Sequence, residues 1–138
     1  MSEKAFWNYL RKGMTGKWQS VRIESSASGG VPDVAYSKDG VHGWIELKFI
    51  PSWPVRESTP LRVPHLTPQQ RLFILKHGSA GEHCFLFLKV GSTKDYFLFD
   101  HTNIASLGEV KRANVSSIAL SHWTDSVDFD QLGKVLSR

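Results

Sequence analysis

Read for hydrophobic period, the chain opens on a helix. Phe6, Trp7, Leu10 and Met14 recur at helical spacing behind Ser2, a suitable N-cap, and Gly13 and Gly16 close the element. Glu3 falls on the i, i+4, i+7, i+11 stripe with Trp7, Leu10 and Met14, so an acid extends from the end of the inward face. A helix-dipole role explains Glu3 at least as well as a chemical one. The period then changes to two. "KWQSVRIE" predicts a strand with Val21 and Ile23 on one side and Arg22 on the other, running into the Ser/Gly stretch "SSASGG". "PDVAYS" and "GVHGWIELKFI" flank the turn signal "KDG" and predict an antiparallel hairpin. In its second strand Val41, Gly43, Ile45, Leu47 and Phe49 face one way, while Trp44, Glu46, Lys48 and Ile50 face the other.

Residues 51–66 hold four of the six prolines, with Trp53, Arg56 and Arg62, and predict an ordered but irregular segment. "LTPQQRLFILKHG" is a punctuated helix: Thr67 as N-cap, Pro68 at the first position, Gln70 at the capping-box position and Gly78 as the stop, with Phe73, Ile74 and His77 inward. "HCFLFLKV" is almost continuously apolar, as for a strand covered on both faces, and "DYFLFD" after a "GSTK" turn is its hairpin partner. Further on the pattern predicts a short helix near "TNIASLG", a strand near "VSSIAL", and a last helix carrying Phe129, Leu132, Val135 and Leu136. The order α-β-β-β-α-β, then small helices, predicts an α/β fold with a central mixed sheet flanked by helices.

Composition narrows the class. At 138 residues with 41% hydrophobic and 22% charged positions, the chain fits one soluble domain, residues 1–138, and no apolar run is long enough to span a membrane. The amphipathic N-terminus lacks a secretory signal, so a cytoplasmic protein is expected, in the host cytoplasm if the gene is viral. The single cysteine, Cys84, allows no disulfide framework and reads as a buried hydrophobe. Net charge is +4 overall but +5 over residues 1–76 and −1 over 77–138. The basic half favours a polyanionic partner such as nucleic acid. The six histidines show no metal-ligand spacing and read as structural, and Trp18, Trp44 and Trp123 as core or interface anchors.

The chemistry lies in that basic half. Across the predicted hairpin, Asp33 can meet Glu46 and Lys48 on one face. Two carboxylates and an ammonium on an apolar scaffold are costly unless paired or bound to an ion. A hard divalent cation such as Mg²⁺ takes one or two carboxylates plus water and phosphate oxygens, and a lysine beside it can orient or activate the attacking water or neutralise charge on a phosphate. An isolated Glu-x-Lys is an ordinary strand pair. Here it stands 13 residues after a Pro-Asp that opens the preceding strand, which is far more specific.

"VPDVAY…GWIELKF" resembles the PD-(D/E)XK nuclease superfamily, with Pro32-Asp33 and Glu46-Leu47-Lys48 as its signature. "GVPD…IELK…LTPQQ" is especially similar to small VRR-NUC nucleases, and "RIESSASGGVPDV" to the entry of archaeal-type Holliday junction resolvases. The resemblance spans residues 3 to about 90 and implies a restriction-endonuclease-like core. It implies Asp33, Glu46 and the Leu47 carbonyl as ligands of Mg²⁺, with Mn²⁺ able to substitute, Lys48 as the catalytic lysine, Glu3 as the acid of the first helix, and Gln70 as the glutamine of a later one. A capping box accounts for Gln70 equally well, and the two roles can coexist. Arg22, Ser25, Ser26 and Ser28 are similar to family positions that contact the DNA backbone. The insertion at 51–66, through Trp53, Arg56 and Arg62, is placed to contact DNA or a second subunit. The implied activity is a Mg²⁺-dependent endonuclease cutting branched or Holliday junction DNA as a homodimer, in recombination, repair or phage biology. The rivals are a less selective nuclease on duplex, flap or single-stranded DNA, and an inactive nuclease-fold DNA-binding module.

Overall fold

The computed structural model describes residues 2–16, 18–23 and 30–138. Its elements are α1 (Glu3–Gly13), β1 (Trp18–Arg22), β2 (Val34–Lys38), β3 (Val41–Ile50), α2 (Pro68–Ser79), β4 (His83–Val90), β5 (Asp95–Phe99), α3 (Arg112–Ile118), β6 (Ser121–Thr124) and α4 (Phe129–Leu136), with a 3-10 turn at Ile104–Ser106. The six strands lie in chain order in one sheet. Every neighbouring pair is antiparallel except β3 and β4, which run parallel because α2 carries the chain back between them. This is the mixed sheet flanked by helices that the periodicity predicts.

Strand alternation divides the interior into two layers. Val34, Tyr36, Ile45, Leu47, Phe85, Phe87, Tyr96 and Leu98 pack against Phe6, Trp7 and Leu10 of α1 and Leu132, Val135 and Leu136 of α4. On the opposite face Ile50, Cys84, Leu86, Leu88, Val90, Phe97 and Phe99 pack against Ile74 of α2 and Val115 of α3. Cys84 is therefore a core residue, and burial pushes its thiol up to about 12, with the nearby Glu82 and Glu46 charges acting in the same direction. The β2–β3 turn works because Asp39 and Gly40 both take positive φ, 51° and 80°, as a tight twisted hairpin requires. The Tyr36 phenol donates to the Leu136 carbonyl at 2.7 Å, and its ring occupies the space left by the missing side chain of Gly43.

Three expectations change. The stretch "VSSIAL" is the end of α3 and the approach to β6, not a strand: Val115 is buried within the helix, and the strand begins at Ser121. β1 ends at Arg22, short of Ile23, and Val21 is 64% exposed. Trp53 is a core residue of the second layer, only 8% exposed, with its indole N–H donating to Thr93 Oγ1 at 2.9 Å and the Arg112 guanidinium 5.0 Å from its ring. It is therefore not a DNA or subunit contact. Leu61 and Val63 are buried beside it, so 51–66 is a strap tied down across this layer.

Candidate active site

The register of the β2–β3 hairpin builds the site. Val34 pairs with Ile45, so Asp33, one residue before β2, sits opposite Glu46. The strand has ended there, and the backbone groups of β3 that β2 would have satisfied are taken up locally. The Leu47 N–H donates to Asp33 Oδ2 at 3.1 Å, and the Asp33 N–H donates to Glu46 Oε2 at 3.2 Å. A strand residue projects its N–H and C=O on the same side, which turns the Leu47 carbonyl toward the same gap.

Glu3 enters from the other layer. Ser2 caps α1, its hydroxyl accepting from the Ala5 N–H at 3.1 Å, and Phe6, Trp7 and Leu10 bury the inner face. That anchoring holds the first turn against the start of β2. Carboxylate oxygens of Glu3, Asp33 and Glu46 all lie within 4.8 Å of one another, and among the described residues this is the only cluster of three or more potential metal-ligating side chains.

The other face contributes the cation and the amide. Lys48, two residues beyond Glu46 and hence on its side of the strand, brings Nζ to 3.3 Å from Glu46 Oε1 and donates to the His65 carbonyl at 3.0 Å. Gln70 caps its helix and also reaches the acids. Its Oε1 accepts from the Thr67 N–H at 3.0 Å while Thr67 Oγ1 accepts from the Gln70 N–H at 3.1 Å, and its Nε2 donates to Glu46 Oε1 at 3.1 Å.

Electrostatics make the cluster avid for positive charge. Glu46 is 1% exposed. Burial first, and then the Asp33 carboxylate, raise its pKa to about 8, against a smaller opposing pull from Lys48. Glu3 is also pushed upward, by burial and then by Asp33, with Lys48 and Arg22 acting the other way. Acids crowded until they resist ionising are stabilised in the charged form by a cation between them. Three hard oxygen donors beside a strand carbonyl suit Mg²⁺ or Mn²⁺, so the residues present fit the implied metal.

Comparison with known proteins adds the fold. No family model and no curated protein matches the sequence. Among solved structures the chain is similar to Hjc, a Holliday junction resolvase from the archaeal hyperthermophile Archaeoglobus fulgidus. The two share 17% sequence identity with a TM-score of 0.57, over 96% of each chain. The α/β fold is therefore that of the Hjc nuclease, along nearly the whole length.

Of the residues singled out in the sequence, Glu3, Asp33, Glu46, Leu47, Lys48 and Gln70 come together. Arg22 is half-buried at the rim, near enough for its charge to favour ionised Glu3. Arg56 and Arg62 are exposed on the strap. Ser25, Ser26 and Ser28 lie outside the described residues. The sequence reading missed the His65 carbonyl, because a main-chain acceptor leaves no residue-type signature.

Proposed function

We propose that the protein is a divalent-metal-dependent endonuclease that hydrolyses phosphodiester bonds of branched or Holliday junction DNA. The observation that carries the reading is the convergence of Glu3, Asp33 and Glu46 within 4.8 Å, with the Lys48 ammonium 3.3 Å from Glu46. An inactive DNA-binding module has no use for three mutually destabilising acids. Similarity of fold to a junction resolvase supports the branched substrate, and the VRR-NUC-like motifs around Asp33 and Glu46 support the chemistry.

Asp33, Glu46, Glu3 and the Leu47 carbonyl would hold Mg²⁺, which supplies a Lewis acid against the phosphate and lowers the pKa of water. Lys48 has three N–H donors; Glu46 and His65 engage two, and the third is left to orient the attacking water and offset charge on the phosphorane-like transition state. Gln70 fixes the Glu46 carboxylate so that one oxygen faces Asp33. Attack at phosphorus with departure of the 3′ oxygen leaves a 5′-phosphate. Symmetric resolution of a four-way junction needs two such sites, hence a homodimer.

The test is cleavage of labelled four-way junctions, forks, flaps, linear duplex and single strands with Mg²⁺ or Mn²⁺, beside Glu46→Ala and Lys48→Ala. Paired nicks confined to junctions, absent from both variants, are expected. Equal cutting of linear duplex would establish the less selective nuclease instead, and cutting that survives both substitutions would remove the site assignment.

A further inference from the structure

The strap begins three residues after Lys48 and comes back to it. Its start is tied to the β4–β5 turn, where the Ser92 N–H donates to the Pro51 carbonyl at 2.8 Å. Its far side is pinned by Leu61, whose N–H donates to the Val110 carbonyl at 2.8 Å and whose carbonyl accepts from the Gly108 N–H at 2.9 Å. The return leg is a tight turn over Val63-Pro64-His65-Leu66, closed by the Leu66 N–H donating to the Val63 carbonyl at 3.3 Å. Proline at the second position and a positive φ at the third, 67° at His65, are the marks of a type II turn, whose third position favours glycine. Here it is a histidine with an exposed side chain. Its carbonyl accepts from Lys48 Nζ at 3.0 Å.

A residue held in a disfavoured conformation persists only where its surroundings hold it, and such residues concentrate where geometry serves chemistry. Two residues on, Thr67 caps α2 and aligns Gln70 on Glu46, so one short segment governs both members of the Glu46–Lys48 pair. We infer that His65 is a positioning residue for the reaction: the strap holds its backbone left-handed so that its main-chain carbonyl fixes the Lys48 ammonium beside Glu46, and the imidazole is dispensable. A lysine on its flexible four-carbon stem has much rotamer freedom to lose. A carbonyl that orders it beforehand raises the rate at bound substrate without touching substrate affinity. The inference rests on the nuclease reading of the site.

The test is a backbone series at one position, His65→Gly, His65→Ala and His65→Val. Glycine accepts the left-handed conformation freely, alanine less so, and β-branched valine least. Single-turnover cleavage of a saturating four-way junction in Mg²⁺ gives the rate. Junction affinity in Ca²⁺ and thermal melting are measured alongside. The expected result is a His65→Gly rate within about threefold of wild type, with His65→Val reduced on the order of tenfold or more, His65→Ala between, and junction affinity unchanged throughout. Should His65→Val fail to fold, the Gly-to-Ala step carries the comparison. Loss of rate in His65→Gly would assign the role to the imidazole and overturn the inference, as would a flat series. Lys48→Ala separates the two levels: if it is inactive while the series is flat, only the positioning role falls, and if it cuts like wild type the nuclease site itself is wrong.

Discussion

Replacing the buried acid by its amide should stabilise the metal-free protein at neutral pH and destabilise it in acid. Glu46 has a folded pKa of about 8 against an ordinary 4.5, so the fold favours the protonated form. Its contribution is greatest below pH 4.5, declines as pH rises, and levels off above about 8. At about 1.4 kcal/mol per unit, bringing the solution to pH 7 sets roughly 3 kcal/mol against the folded state. Glu46→Gln has no charge to lose and escapes that cost. It gives up something else. The two carboxyl oxygens accept from the Asp33 N–H on one side and from Gln70 and Lys48 on the other, and each keeps an acceptor lone pair even when one carries the proton, whereas an amide has one acceptor and one donor group. One side is then left with donor facing donor, a loss of about 1–2 kcal/mol.

In EDTA, Glu46→Gln should therefore be less stable than wild type by about 1–2 kcal/mol near pH 4.5 and more stable by about 1–2 kcal/mol at pH 7, crossing between. For a chain of this size the swing of roughly 3 kcal/mol is about 10 °C in relative melting temperature. The assay is thermal unfolding followed by circular dichroism at half-unit pH steps. A difference between the two proteins that does not change with pH would refute the reasoning, since only the titration of Glu46 makes it vary. Activity should fall by at least about a hundredfold in the same variant, so the acid is retained at the expense of stability.

Further outcomes follow from the same geometry. Mg²⁺ should raise the melting temperature of wild type more at pH 8 than at pH 5.5, because binding must displace the proton that Glu46 retains at the lower pH, and Glu46→Gln should lose most of that increment. Gln70→Glu should keep the capping box, and so nearly keep stability, while setting a carboxylate against Glu46 and lowering the cleavage rate; Gln70→Ala should lose both, with about 1 kcal/mol of stability. Gly43→Ala would place a methyl 2.3 Å from the Tyr36 hydroxyl oxygen, so urea unfolding should show a loss of about 2 kcal/mol or more, with the buried bond to Leu136 displaced. Arg56→Ala and Arg62→Ala, measured by junction binding across a salt series, should each weaken binding uniformly and reduce the salt slope by about one, if these exposed guanidiniums meet phosphates.

Local pattern made much of this legible. The "KDG" turn and the alternation around it specify which residues of β3 share a side, so the pairing of Glu46 with Lys48 and the approach of Asp33 follow from a period of two and one tight turn. Thr67, Pro68 and Gln70 likewise announce the start of α2. The errors fell where short-range pattern is ambiguous. "VSSIAL" has β-branched residues that suit a strand, but burial of Val115 against the second core layer decided for a helix. Trp53 in a proline-rich stretch looks like a surface aromatic until the strap is seen lying over Phe97, 5.7 Å away and nearly perpendicular. The sequence by itself determined the side chains of the site and their local frame, because turn chemistry and strand alternation act over a few residues. Only the tertiary structure decided that Glu3 crosses from the opposite layer to meet them, that Gln70 reaches Glu46 while still capping its helix, and that a histidine carbonyl returns to Lys48. Those three depend on how separate elements pack, and all of them are long-range contacts that leave no period in the chain.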